Sequence, residues 1–566
     1  MKTKLSLLLL LALAGVSQAT TYCSGPVATG SGSGADWNNI KLFGSVSPAR
    51  GDIWYLADGT YNGFTASVAV SGTNTISILK ATPASHGTDT GWNAATMGTG
   101  QATITNIVHF TTGYWVLNGQ KGGGFGTLPP DTNGANYGIA MTQGGICVQF
   151  EAALTNIVLS HIYAPCNTNN VNNPGTGWFA GDLGQALGTI DSVTISYCLL
   201  TGWGQAIRIG QYSGTPWNNF LYDHNIQWTM YTDSNYHGNP INAVWSPLYN
   251  ATVRYSLFYL TVGTGGMSQV ISANNSTWYN PKIYGNVFDQ CYCGRAIISG
   301  NGRTNDVIQN ALVFNNTFLW NELGRSYPGG GLIGDEFTSV GFNTFKNNLG
   351  YQCHVTTGAS TNDYNEYVST WDQTLQAHDV AFTNYSLFTN PTNQTYSLVT
   401  NTPAGVALDA EYNTDALGNT RTTWSRGAFE FAGASTNPII SVSPSSANFG
   451  TLLTNTTADA VFGVTNSGAG TLTGTASTSV PFTILSGGSY SLTNNQGQNV
   501  TVRYSPTTAG TNNGTVTFTG GGGTSAPLIG VATNAPAAQG QTTNSPSTTT
   551  NTLTIQNMTV GHAICL

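Results

Sequence analysis

Through most of the chain, apolar and polar residues alternate over short stretches rich in β-branched side chains, a period of two that predicts strands rather than helices. One phrase recurs: "NPKIYGNVFDQ" begins at Asn280 and "NALVFNNTFLW" at Asn310, 30 residues later. It returns in "NIVLSHIY", "SVTISYCLL", "NFLYDHNIQ", "ATVRYSLF" and "NTFKNNLG". With Val158, Ile195, Tyr222, Val253, Ile283, Val313 and Phe345 as apolar anchors, the separations are 37, 27, 31, 30, 30 and 32 residues. Such spacing is that of one supersecondary unit stacked on the next, so the chain predicts a solenoid of β-coils.

Three residues after each anchor stand His161, Cys198, Asn225, Ser256, Asn286, Asn316 and Asn348. Asn tolerates left-handed backbone angles and bonds backbone groups at turns, so this column is expected to form a corner ladder. The residue directly after each anchor is expected to face outward: Leu159, Ser196, Asp223, Arg254, Tyr284, Phe314 and Lys346. Coils stack about 4.8 Å apart, which would let Asp223 and Arg254 meet as an exposed ion pair.

From residue 437 to 533 the pattern changes to longer alternating strands with Gly and Asn turns, as in "AVFGVTNSGAGTLTG" and "NVTVRYSPTTAGTNNGTVTFTG". This grammar suits a β-sandwich. Residues 534–566 read as a low-complexity linker and a short tail. At the other end, Lys2 and Lys4, a Leu-rich run and the site Ser17-Gln18-Ala19 have the form of a signal peptide over residues 1–19, so the mature chain is expected to be secreted.

Removing Lys2 and Lys4 leaves 14 basic against 24 acidic residues, a net charge of −10. A chain this short of clustered cations argues against nucleic acid as a partner, and after the leader no apolar run approaches a membrane span. Only 7% of residues are charged while 40% are hydrophobic, the balance of a packed protein with a polar coat. All eight cysteines fall in the exported part, where disulfides persist, in a pairing the sequence leaves open. Cys291 and Cys293 lack the second pair that a structural zinc site requires.

The segments "ARGDIWYLADGTYNGF" and "GVALDAEYNTDALGNTRTTWSRGAFEFAG" resemble the entry and exit of secreted right-handed parallel β-helix proteins of the pectate-lyase-like superfamily. The resemblance spans most of residues 48–431, and implies an all-β chain with a right-handed parallel β-helix over 20–433. "NFGTL", "VTNSGAGTL" and "VRYSPTTAGTNNGTVTFTG" resemble Hydin-type immunoglobulin-like modules, which implies an immunoglobulin-like β-sandwich at 437–533 acting as spacer or adapter.

Within the solenoid, "GWGQAIRIGQYSGT" resembles the phrase that carries an acidic metal ligand in alginate lyase and chondroitinase B type enzymes. There Ca2+ neutralises a uronate carboxylate, a Lys removes the adjacent proton and an Arg assists. Arg208 matches, but Gln205 stands where that family has its carboxylate, and an amide binds a hard cation far more weakly. The Lys position falls in "INAVWSPLYN", at Trp245, Ser246 and Pro247; the Arg position falls near Ser299, with Arg295 and Arg303 flanking it. Ca2+ is therefore implied by resemblance alone.

Asp223-His224 in "FLYDHNIQW" resembles the Asp-His pair of pectate lyases, in which His would exchange a proton and Asp orient it. Strand alternation argues against that pairing, because adjacent side chains face opposite sides. It predicts a hydrogen-bonded, structural His224 at the core or corner, under Tyr197 and over Tyr255. Hydrolysis needs two carboxylates across a cleft, and the adjacent pair Asp335-Glu336 would be split the same way. Asp233 and His237 lie in a loop that could reach the site.

Aromatics supply the signal for sugar, since flat rings with a polar edge pack against sugar C–H faces. Trp203, Tyr212, Trp217, Trp228, Tyr236 and Trp245 are the candidate substrate-binding residues, with core filling as the competing role. Two functions stay open. One is a polysaccharide-interacting, pectate-lyase-like enzyme acting by β-elimination on a uronate-containing glycan, with Arg208, Asp223, His224, Arg295 and Arg303 as candidate catalytic residues. The other is a non-catalytic glycan-binding, adhesion or structural surface protein.

Overall fold

The computed structural model describes residues 19–143, 145–165, 178–180, 187–202, 205–210, 214–232, 239–263, 270–291, 298–300, 306–320, 343–353, 361–370, 374–383, 387–431, 438–468 and 470–534. For 180, 229–232, 260–263 and 299–300 only the backbone is described. The leader, the tail, and Trp203, Tyr212, Tyr236, Arg295, Arg303, Asp233, His237, Asp335 and Glu336 lie outside the described residues. The chain divides into two compact units, Met1–Gly433 and Ala434–Leu566.

The first unit is a parallel β-helix. Among the described residues its strands form three long parallel sheets of 17, 12 and 8 strands and one two-stranded antiparallel pair, and the coils from Ile53–Leu56 to Ile298–Gly300 contribute to all three long sheets in turn. One coil runs through Leu221–Asp223, Ile226–Thr232 and Ile241–Val244 before returning at Leu248–Tyr249 to the first sheet. Successive coils pair in register, as in Tyr222↔Val253, Val253↔Ile283 and Ile283↔Val313. These anchors are wholly buried, and Phe258, Phe288 and Phe318 stack inside at 5.0 and 4.9 Å. Alternation thus sends every second side chain inward, which is why a period of two sustains a long narrow core.

The predicted corner ladder is present. Asn316 Oδ1 accepts the Asn286 backbone N–H at 3.0 Å, Asn348 Oδ1 accepts that of Asn316 at 2.9 Å, and Asn365 Oδ1 accepts that of Asn348 at 2.9 Å. Each amide nitrogen donates to a carbonyl of the preceding coil, as Asn316 Nδ2 does to Ile283 O at 2.9 Å. Two details differ from expectation. The left-handed residue is the one before each ladder position, such as Tyr255, Asn315 and Asn347, so the ladder residue is a buried hydrogen-bonding partner rather than the turn itself. The true anchor of the earliest coil is Leu159, paired with Ile195 and wholly buried rather than outward-facing. His161 accordingly leaves the ladder and becomes the left-handed residue.

A second ladder explains the first letter of the repeated phrase. Asn219, Asn250, Asn280 and Asn310 all have φ near 54° and are exposed. Asn280 Nδ2 donates to Asn250 Oδ1 at 3.3 Å and Asn310 Nδ2 to Asn280 Oδ1 at 3.1 Å. Here Asn does supply the left-handed bend, splitting the first sheet into two facets.

The segment 387–431 folds back along the outer side of the second sheet. Phe388, Tyr396, Tyr412 and Phe429 pack there with Leu257, Val287 and Leu349 in a second apolar core. The five described cysteines, Cys23, Cys147, Cys198, Cys291 and Cys353, are buried. Burial pushes the Cys198 thiol up to about 12, which keeps it unreactive. No helix among the described residues is long and apolar enough to cross a membrane.

The second unit is a sandwich of a four-stranded and a five-stranded sheet. Its pairs are antiparallel except Ala447–Leu453 with Thr524–Thr533, which is parallel. Phe462, Phe482, Val502, Tyr504 and Phe518 fill the space between the sheets.

Candidate functional site

Asp223 ends a first-sheet strand with its side chain outward, in register between Ser196 and Arg254. Arg254 Nε and Nη2 donate to Asp223 Oδ1 and Oδ2, both at 3.0 Å, and Nη1 donates to Tyr284 Oη at 3.1 Å. The ion pair foreseen from the repeat is real but largely withdrawn from solvent, the Asp223 side chain being 12% exposed. His224 Nδ1 donates to the same Oδ1 at 2.7 Å.

That last contact corrects the argument from alternation. His224 has φ of 54° and sits on the corner, and a left-handed residue is not half a strand period from its neighbour, so its ring swings back beside the Asp223 carboxylate. The ring stacks at 4.8 Å on Tyr197 and lies 5.0 Å from Tyr255, while Tyr197 stacks on His161 at 5.1 Å. The vertical order Tyr197, His224, Tyr255 agrees with the sequence reading.

Burial would raise the Asp223 carboxyl, but hydrogen bonds from His224 and Arg254 outweigh it and hold the group below the usual carboxylate range. The loop around Gly124 lies over this corner: the Phe125 N–H donates to His224 O at 2.8 Å, and a Cβ on Gly124 would lie 2.1 Å from that oxygen. Beside it, Ser196 Oγ donates to Ser160 Oγ at 3.0 Å, and Ser160 Oγ lies 2.7 Å from His161 Nδ1. Every polar group named here is engaged by a neighbour, which is the condition of a brace.

Arg208 is elsewhere, on the third sheet, in register with Ala180 and Asn242. It is 7% exposed, not a solvated wall residue, and Gln205 and Asn242 beside it are also buried. Asn242 Nδ2 lies 3.5 Å from Gln205 Oε1. Neutral amide oxygens do not make the donor set of a hard dication, and no cluster of metal-ligating side chains occurs among the described residues. The described residues do not fit Ca2+.

The candidate sugar-binding aromatics separate. Trp217 is wholly buried and stacks on Phe150 at 5.7 Å, so it is core and not a ligand platform. Trp228 is half-buried and stacked on Tyr259 at 4.1 Å beside the 387–431 segment. Trp245 is 44% exposed at the corner entering the first sheet, with φ of 60°. Four residues later comes a pair the sequence reading passed over: Tyr249 and Tyr279, in register on the outer facet, stack at 4.8 Å with 7° between ring planes. The signal was available, since both immediately precede an Asn of the exposed ladder.

No protein-family model matches the chain, and no curated protein matches it. Among solved structures, the ASH/PapD-like domain of human CEP192 (PapD-like domain 7) is 16% identical, at TM-score 0.16, over 18% of this chain and 89% of that one. The PL6 family alginate lyase AlyGC is 11% identical, at TM-score 0.27, over 72% of this chain. The chain spans 58% of that lyase's length. These are loose likenesses, and they assign no role to any residue.

Proposed function

We propose that this protein is a secreted glycan-binding β-helix whose outer first-sheet facet holds a polysaccharide without cleaving it. The observation that carries the reading is the Tyr249–Tyr279 stack, flanked by exposed Trp245 and by the exposed amides of Asn250, Asn280 and Asn310. Aromatic faces beside amide donors and acceptors suit pyranose rings. The coil spacing of about 4.8 Å repeats the same amide along the facet, which suits a polymer better than a single small molecule.

A second reading, β-elimination on a uronate-containing glycan, is favoured by one contact, the 2.7 Å His224–Asp223 bond. Against it, Arg254 is already held by the same carboxylate and Arg208 is buried on another sheet. Incubating the mature protein with alginate, pectate and neutral glucans while following ultraviolet absorbance, and in parallel measuring its retention on each polymer, separates the two. Retention without an unsaturated product is the expected result. Appearance of that product, lost in His224→Ala, would replace binding with elimination; retention on no polymer would end both readings.

A further inference from the structure

The first coils carry a site that lies away from the facet just described. Three cavities, of about 440, 350 and 310 Å3, all border Gly63 and Phe64, each within the range of small-ligand sites, roughly 300–1,000 Å3. Phe43 is the hub of the walls of the 440 and 310 Å3 cavities. Its ring meets Trp54, Tyr61 and Phe64 edge-on at 6.0, 5.7 and 5.5 Å, and Trp115 closes the largest cavity. Gly63 makes the floor possible: a Cβ there would stand 2.0 Å from Ile107 O, so any larger residue would push the third-sheet turn away.

The polar content of these walls is specific. Ser45, Ser47 and Thr65 supply hydroxyls to the largest cavity. Asn62 and Asn106, joined at 3.2 Å, border the two smaller ones. Trp54 Nε1 is a buried donor with no hydrogen-bond partner, although its ring lines the largest cavity. No Asp, Glu, Lys or Arg lines any of the three.

We infer that this is a second carbohydrate site, for a neutral pyranose unit or short neutral oligosaccharide. Aromatic walls take the C–H faces of a sugar while hydroxyls and amides take its rim. A uronate is disfavoured, because its carboxylate would leave water for walls without Lys or Arg, and the wall imidazole of His109 already lies 2.6 Å from Glu151 Oε1. Loop 43–48 forms the outer wall, with Gly44 at φ of +81° and nothing within 4 Å of its Cβ position. The inference rests on the reading that the protein binds glycans, but on different residues.

The test uses the mature full chain with cellobiose, maltose, glucuronate and indole as probes, read by saturation-transfer NMR and tryptophan fluorescence. Ser47→Trp, at an exposed loop position, fills the largest cavity without touching the core, and Phe64→Ala removes the shared wall. A neutral disaccharide is expected to bind, glucuronate to bind at least about tenfold more weakly (about 1.4 kcal/mol), and both variants to lose the disaccharide while Tyr249→Ala keeps it. Disaccharide binding that survives Ser47→Trp would put the site elsewhere and overturn the inference. Binding of indole alone would make the cavity an apolar-ligand site and overturn it too. Polymer retention without any disaccharide signal would overturn this site and leave the facet standing, whereas loss of both would remove the glycan reading itself.

Discussion

The Asp223 carboxylate grips the Arg254 guanidinium of the next coil at two points, both 3.0 Å long, and the same carboxylate orients His224. A single acidic residue thereby ties together a strand, its neighbour and a corner. Asp223→Asn is expected to cost about 1–3 kcal/mol, the range for leaving such partners unsatisfied. The carboxyl is held below its ordinary value, so its contribution is fully present above the unfolded value, about 3.9, and is lost as pH falls through the lower folded value. Urea melts should therefore show a large gap between wild type and variant at neutral pH that closes in acid. A gap that is the same in acid would mean that the charge of Asp223 does not brace the coils.

The buried ladder predicts a stability effect without a binding effect. Asn316 accepts from the Asn286 backbone and donates to Ile283 O and Asn348 Oδ1. Asn316→Leu takes this partner from the Asn286 N–H and from Ile283 O, at about 1–3 kcal/mol each, while Asn348 Oδ1 keeps the Asn316 backbone N–H. Thermal melting should fall clearly while glycan retention is unchanged. An unaltered midpoint would refute the ladder's role.

Much of this was legible in the sequence, and the part that was not has a physical pattern. Anchors, ladder and the Asp223–Arg254 pair follow from a period of two and a coil of near-constant length, both local or nearest-neighbour properties. His224 was rightly expected as a hydrogen-bonded corner residue, but its contact with Asp223 was missed because alternation holds only while φ stays negative, and a His, unlike a Gly, gives no warning that it will occupy the left-handed region. The burial of Arg208 was not legible, because it depends on what covers the sheet, which no local pattern encodes. The walls of the first-coil cavities come from Phe43, Trp54, Phe64 and Trp115, positions too far apart along the chain to form a motif.

The second sheet carries buried carboxyls that make stability fall with rising pH. Glu366 is wholly buried with neither oxygen hydrogen-bonded, and burial pushes its carboxyl up to about 8 against the opposing field of Arg426. Asp289, which accepts from Tyr396 Oη at 2.6 Å, is pushed by burial up to about 7. Both are raised above their unfolded values, about 4, so the folded state holds the extra protons and loses stability as pH climbs from there through about 7 and about 8. Glu366→Gln should melt close to wild type in mild acid and above it at about pH 9. Equal midpoints at both pH values would show that Glu366 ionises without cost.

The two residues nearest the lyase resemblance should now behave in opposite ways. Trp245 is exposed and holds no part of the core, so Trp245→Ala should leave the melting midpoint within about 0.5 kcal/mol of wild type, as for other surface changes. Its loss should weaken retention on neutral and acidic polymers alike, because ring stacking depends little on ligand charge, and Tyr249→Ala should deepen the defect. Arg208 is buried in the third sheet, so Arg208→Ala should lower stability through lost packing and hydrogen bonding, with no salt-dependent change in retention, since screening acts on exposed charge. Melting curves and polymer retention at low and high salt decide between this and a groove centred on Arg208. A stable Arg208→Ala variant that loses acidic polymers only at low salt, beside a Trp245→Ala variant that retains everything, would move the binding surface from the first sheet to the third.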